Sequence, residues 1–223
     1  VYVLVLWTTT KITFPDIAGD PKKRGSAVGQ LMEGFRFIAH DRMILTLVLL
    51  GLAPFAVGIA HRTLLPGLIT EVLEADVEML GILQSVAAIG SLGAGLYLAS
   101  HTTIPRKGAL MLAVTVSYGV SMFFVGWTSY LWIVAPLLII GAMSQTVFRA
   151  ANTTMLLERT PVRLRGRVVS VTLIDHALSP VMGIVSGVIA NSWGVGAGFM
   201  FLGAAILFVV AVAMAVNPGF RKI

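Results

Sequence analysis

One carboxylate of this chain, Asp175, sits well inside a long apolar run, and its helical neighbours are polar too. Thr172, Asp175, Ser179, Met182 and Ser186 recur at spacings of three and four, so a helix puts them on one face, bordered by His176 and Gly183. Asp175 lies seven residues beyond Val168, roughly 10 Å along a helix. An ionised carboxylate at membrane depth costs at least ~2.5 kcal/mol. It must face protein or water, keep its proton, or pair with a cation. Gln145, Arg149 and Asn152, at i, i+4 and i+7, form a second polar stripe, and Arg149 sits at a depth compatible with Asp175. Three arrangements fit: an ion pair that only ties two helices, a proton- or substrate-coupled pair, and an arginine reaching lipid headgroups. His176 suits either a hydrogen-bonded helix position or a proton relay. Gln84, Ala88, Ser91 and Gly95 share a face of the run 79–100, with Gly81, Gly90, Gly93 and Ala94 adding small residues for close helix packing and a cavity-lining role for Gln84 as the second reading. His61 and Arg62 sit near one end of the run 43–66, suited to an external mouth or to headgroup contact.

A different chemistry gathers in LLERTPVRLRGRVVSV, residues 156–171. Arg159, Arg163, Arg165 and Arg167 fall within nine residues of a chain that is 57% hydrophobic and 12% charged. Such a cluster marks a loop beside an anionic leaflet, where each basic residue contributes about 1 kcal/mol of attraction. Arg163, Arg165, Gly166 and Arg167 are equally candidates for a cytoplasmic gate. Thr160 suits an N-cap and Pro161 a first helical position. Leu164 and Val168 are then expected to face the membrane while the arginines face water.

These residues need elements to hold them. A mean hydropathy of +0.91 and half the usual charged fraction describe a chain with bilayer as its solvent. Six stretches, about 43–66, 79–100, 108–126, 131–148, 168–190 and 195–216, approach the roughly 20 apolar residues of a membrane span. They are too long and too rich in Gly, Ala and Leu for strands, and helices satisfy their own backbone in lipid. The expectation is an all-α membrane protein, a six-helix bundle over 43–216. Residues 1–8 read as the end of a preceding helix, 9–42 as a connector, and 217–223 as a tail. Within the connector, Val28, Leu31, Met32, Phe35 and Ile38 repeat at helical spacing after a potential N-cap, Ser26, as in a surface-lying amphipathic helix.

Threading the six spans puts fifteen of the sixteen basic residues on one side, with Arg62 the exception. By the positive-inside rule that side is cytoplasmic, and so are both ends of the six-helix block. The net charge of +6 is therefore a topology signal and not a nucleic-acid footprint. Cysteine is absent, which excludes disulfides and thiolate metal sites. No metal or cofactor is expected. No HExxH motif, paired-carboxylate motif or glycine-rich nucleotide loop occurs, so an enzyme or an ATP-driven pump fits poorly. A receptor or assembly subunit without a transport cycle remains an alternative.

Two segments carry a family resemblance. EGFRFIAHDRMILTLVLLG, residues 33–51, resembles the approach to the seventh helix in the drug- and siderophore-exporter branch of the major facilitator superfamily, which includes enterobactin exporters and macrolide efflux proteins. NTTMLLERTPVRLRGRVVSV, residues 152–171, resembles that branch's loop between helices ten and eleven, through Asn152, Thr160, Pro161, Arg165, Gly166, Arg167 and Val168. The resemblance implies the carboxyl-terminal half, helices seven to twelve, of a twelve-helix plasma-membrane antiporter. It implies proton-coupled efflux of a small amphipathic molecule, such as a drug or siderophore, by alternating access. It also implies a partner, the amino-terminal six-helix half. One departure stands out. The superfamily often places a carboxylate in the loop between helices eight and nine, whereas ASHTTIPRKGAL keeps Arg106 and Lys107 without one.

Overall fold

The computed structural model describes residues 27–100, 106–172 and 174–222, without the side chains at 27, 28, 30, 31, 53, 174–177 and 222. Residues 1–8 and Ser26 lie outside the described residues. The described chain is helical throughout. Helix α1, Ala27–His40, leads into α2, Arg42–Gly67. There follow α3, Met79–Ser100; α4, Lys107–Trp127; α5, Leu131–Arg159; α6, Val162–Thr172; α7, Ile174–Trp193; and α8, Val195–Val216, with a closing 3-10 turn over Pro218–Lys222.

Local chemistry sets the boundaries. The Asp41 carboxylate accepts from the amides of Met43 at 2.8 Å and Ile44 at 3.3 Å, capping α2. Pro54 and Pro66 lie inside that apolar helix, and Pro66 does not end it. The chain relaxes instead into a wider π turn, Leu68–Val72, and leaves through Glu74 at a left-handed φ of 48°. The run 168–190 divides differently from expectation. Val168 belongs to α6, whose alternation of arginines with buried Leu164, Val168 and Val171 makes it an amphipathic helix of its own. The apolar helix begins at Ile174.

Among the described residues, five helices are long and apolar enough to cross a membrane: α2 with its π turn, α3, α4, α5 and α8. In α7 the described apolar stretch is Leu178–Trp193. Helix α4 packs on α5 and α8, α3 on α5, and α2 on α7 and α8, while α1 lies against α6. Glycines allow the closest approaches. A Cβ on Gly203 would meet the Phe123 amide nitrogen at 2.5 Å and the Gly119 carbonyl at 2.6 Å, and one on Gly90 would meet the Ile139 carbonyl at 2.7 Å. Small residues thus let α8 reach α4 and α3 reach α5 backbone to backbone. Gly81, Gly93 and Gly95, by contrast, meet nothing within 4 Å.

Two apolar clusters fill the bundle. One, including Ile44, Leu47, Met111, Phe148 and Val168, lies at the arginine-rich end. The other, including Leu65, Val125, Val134 and Phe199, lies at the opposite end. Trp127, Tyr130, Trp132 and Trp193 are exposed around that opposite end, as residues of an aromatic interfacial belt are.

Candidate functional site

Between α2, α3, α4 and α5 the packing leaves a cavity of about 320 Å³. Helix α2 brings His61, Arg62 and Leu65 to it, and α3 brings Leu83, Gln84, Ala87, Ala88 and Ser91. Helix α4 adds Tyr118 and Met122, and α5 adds Leu138, Ala142 and Gln145. Two of the polar residues singled out in sequence, Gln84 and Gln145, thus line one space from two neighbouring helices. His61 and Arg62 join them at its wall.

Gln145 is the hub. Its Nε2 lies 3.5 Å from the Pro54 carbonyl and 3.5 Å from the Tyr118 hydroxyl, so one amide bridges three helices at the outer limit of hydrogen bonding. Gly58 makes room for it, because a Cβ there would overlap Nε2 itself. Tyr118 is buried in the middle of α4, one turn from Met122. His61 Nδ1 is 3.1 Å from the Val57 carbonyl. Because a carbonyl only accepts, Nδ1 carries a proton and Nε2 is left for another partner. Arg62 is exposed, and no carboxylate of the described residues comes within ion-pair distance of it. Among the described residues no three His, Asp or Glu side chains group to hold a metal.

A family profile described as transmembrane secretion effector, a branch of the major facilitator superfamily, matches residues 1–222. The chain belongs to that family. The staphyloferrin A transporter of Staphylococcus aureus (strain NCTC 8325 / PS 47) is 23% identical to it over 162 residues, which are 73% of this chain and 41% of that protein. The chain therefore spans less than half the length of that relative.

In this facilitator-superfamily bundle the other candidates lie apart from the cavity. Arg149 is exposed, with its guanidinium 5.2 Å from the Phe55 ring centroid, a cation–π contact. Asn152, one turn on, is buried beside Gly51 with Oδ1 unpaired. The side chains of Asp175 and His176, and with them the expected pairing of Arg149 with Asp175, lie outside the described residues. Helix α2 packs against both α5 and α7, the helices that carry those two positions. Ser179 is buried, its hydroxyl unpaired, in a separate groove of about 520 Å³ between α2 and α7, with Ile59, Thr63, Gly183 and Ile184.

At the arginine-rich end, Arg167 forms an ion pair with Glu33 of α1, and Arg163 Nη2 stands 3.9 Å from the same carboxylate. Gly34 lets α1 lie flush, since a Cβ there would be 3.1 Å from the Arg167 carbonyl. Arg165 donates through Nε to the Thr160 carbonyl at 3.2 Å, and a Cβ on Gly166 would meet nothing within 4 Å. Two local expectations are corrected here. The Thr160 hydroxyl donates back to the Leu156 carbonyl at 2.7 Å, finishing α5 instead of capping α6. Leu164 and Val168 are buried in protein, not turned to the membrane, because α6 lies against α1, and Val168 joins the core cluster that includes Ile38. The carboxylate missing from the 101–107 turn also has a substitute, for Lys107 pairs with Glu158 of α5 at 2.8 Å.

Sequence reasoning missed Tyr118 and Gly58. A phenol midway along an apolar run was the available signal for the first. A glycine in a helix already rich in small residues carries no such mark.

Proposed function

We propose that this chain is one half of a secondary transporter that moves a small amphipathic molecule out of the cell in exchange for protons. The cavity shared by Gln84, Gln145, His61, Arg62 and Tyr118 carries this reading. Polar side chains are costly in lipid, and these five share one space, while Arg149, Asn152 and Ser179 lie apart from it. Such halves pack against a second half around a midplane site, and rocking of one against the other alternates access. A partner half of six further helices accords with the share of the staphylococcal relative that this chain covers, and a siderophore-like substrate accords with that relative's name.

In this reading the plasma membrane holds the bundle with both of its ends in the cytoplasm. The arginine helix α6, clasped by α1 through Glu33, forms the inner gate with Arg163, Arg165, Gly166 and Arg167. Asp175 and His176 on α7 take part in proton coupling, with Arg149 balancing charge and Ser179 bracing the helix. The test is flux of a labelled siderophore or drug through the full-length protein in proteoliposomes. Ala88→Trp, which fills the cavity from α3, should abolish flux without unfolding the protein. Undiminished flux through that variant would refute the cavity as the path.

A further inference from the structure

The cavity's charge is one-sided. Arg62 is the only permanently charged side chain lining it, and no Asp or Glu does so among the described residues. The nearest carboxylates in sequence, Glu71, Glu74, Asp76 and Glu78, follow α2 in the connection to α3; all four are exposed there, and none of them pairs with Arg62. The same cavity is lined by further groups able to donate: the amides of Gln84 and Gln145, the Tyr118 hydroxyl and the His61 ring. Leu65, Met122 and Leu138 supply an apolar wall.

We infer that the cavity selects amphipathic organic anions, molecules with a carboxylate or phenolate head and an apolar body, and that Arg62 is the group that holds the head. The inference rests on the transport reading above and names the substrate class of that same cavity. A guanidinium stays charged at any physiological pH and presents a fork of N–H donors matched to a carboxylate. An anionic ligand gains the attraction of this unpartnered guanidinium, while a cationic ligand meets its repulsion. The amides and the phenol can donate to the remaining oxygens of the head, and the apolar wall receives the body. A phosphate of a lipid headgroup has the same chemistry and is the competing occupant of Arg62.

The test measures binding to the full-length protein in phosphatidylcholine nanodiscs with three fluorescent probes that differ mainly in charge: dansyl-aspartate, dansyl-asparaginamide and dansyl-lysinamide. Dansyl-aspartate should bind at least about tenfold tighter than the neutral probe, as expected for a charge-assisted hydrogen bond, and the cationic probe should bind most weakly. Arg62→Gln should erase the preference, and Arg62→Lys should keep part of it. If the anionic probe binds no better than the neutral one, or not at all, the inference is overturned. It is equally overturned if Arg62→Gln leaves the preference intact, which is the result expected if Arg62 serves only a lipid phosphate. Ala88→Trp separates this inference from the reading beneath it. If that variant weakens all three probes while Arg62→Gln changes nothing, the cavity stands and anion selection alone falls. If it weakens none, both fall.

Discussion

Gly58→Ala isolates the part that Gln145 plays in the cavity. The new Cβ would occupy the position of Gln145 Nε2, so the amide must swing off the Pro54 carbonyl and the Tyr118 hydroxyl. Both bonds are 3.5 Å long, so their loss is worth about 0.5 kcal/mol each, the low end for a net hydrogen bond. Alanine in place of glycine inside a helix returns about 0.5–1 kcal/mol. The two nearly cancel, and the melting temperature should stay within about 3 °C. Binding should not stay put. A displaced amide that no longer meets its ligand forfeits about 1 kcal/mol, or about fivefold in affinity. The assay is a double-mutant cycle in the full-length protein, reading ligand affinity and thermal stability together. In a Gln145→Ala background, Gly58→Ala should change affinity by less than about twofold, because nothing remains to be displaced. An equal loss in both backgrounds would refute the link between Gly58 and Gln145.

Three further outcomes are expected. A disulfide between Gly34→Cys and Val171→Cys, whose positions touch across α1 and α6, should stop flux in the full-length protein until it is reduced; continued flux while cross-linked would show that this clasp does not open in the cycle. Gly203→Ala should lower stability by about 1–3 kcal/mol, since its Cβ meets the backbone of α4, whereas Gly166→Ala, in open space, should leave the melting temperature unchanged or slightly raised. Asp175→Asn should flatten the pH dependence of flux, and an unaltered pH profile would remove Asp175 from proton coupling.

The helical bundle was legible because hydropathy runs of 18 residues or more in a polar-poor chain leave few other solutions. The runs 79–100 and 195–216 coincide with α3 and α8. Gln84 and Gln145 were legible as amides within apolar runs, but no spacing shows that they line one space. Helical spacing shows which residues share a face but not which neighbour that face meets. Ser179 therefore falls into a groove against α2, apart from Gln145, and Leu164 and Val168 turn to protein where lipid was expected. The pairs Glu33–Arg167 and Lys107–Glu158 join segments far apart in sequence, and no local pattern links their members. Gly58 is invisible to any pattern, because its role is the absence of a side chain where another helix needs room.

A transport path along this cavity requires that the space beside Ala88 be wet. The most direct measurement is the reaction of single cysteines with a membrane-impermeant methanethiosulfonate in the full-length protein, on a cysteine-free background. Ala88→Cys, at the cavity, should react rapidly and be protected by ligand, while Phe208→Cys, exposed on the outer face of α8, should stay unreactive in lipid. An unreactive Ala88→Cys, or a Phe208→Cys that reacts as fast, would contradict such a path.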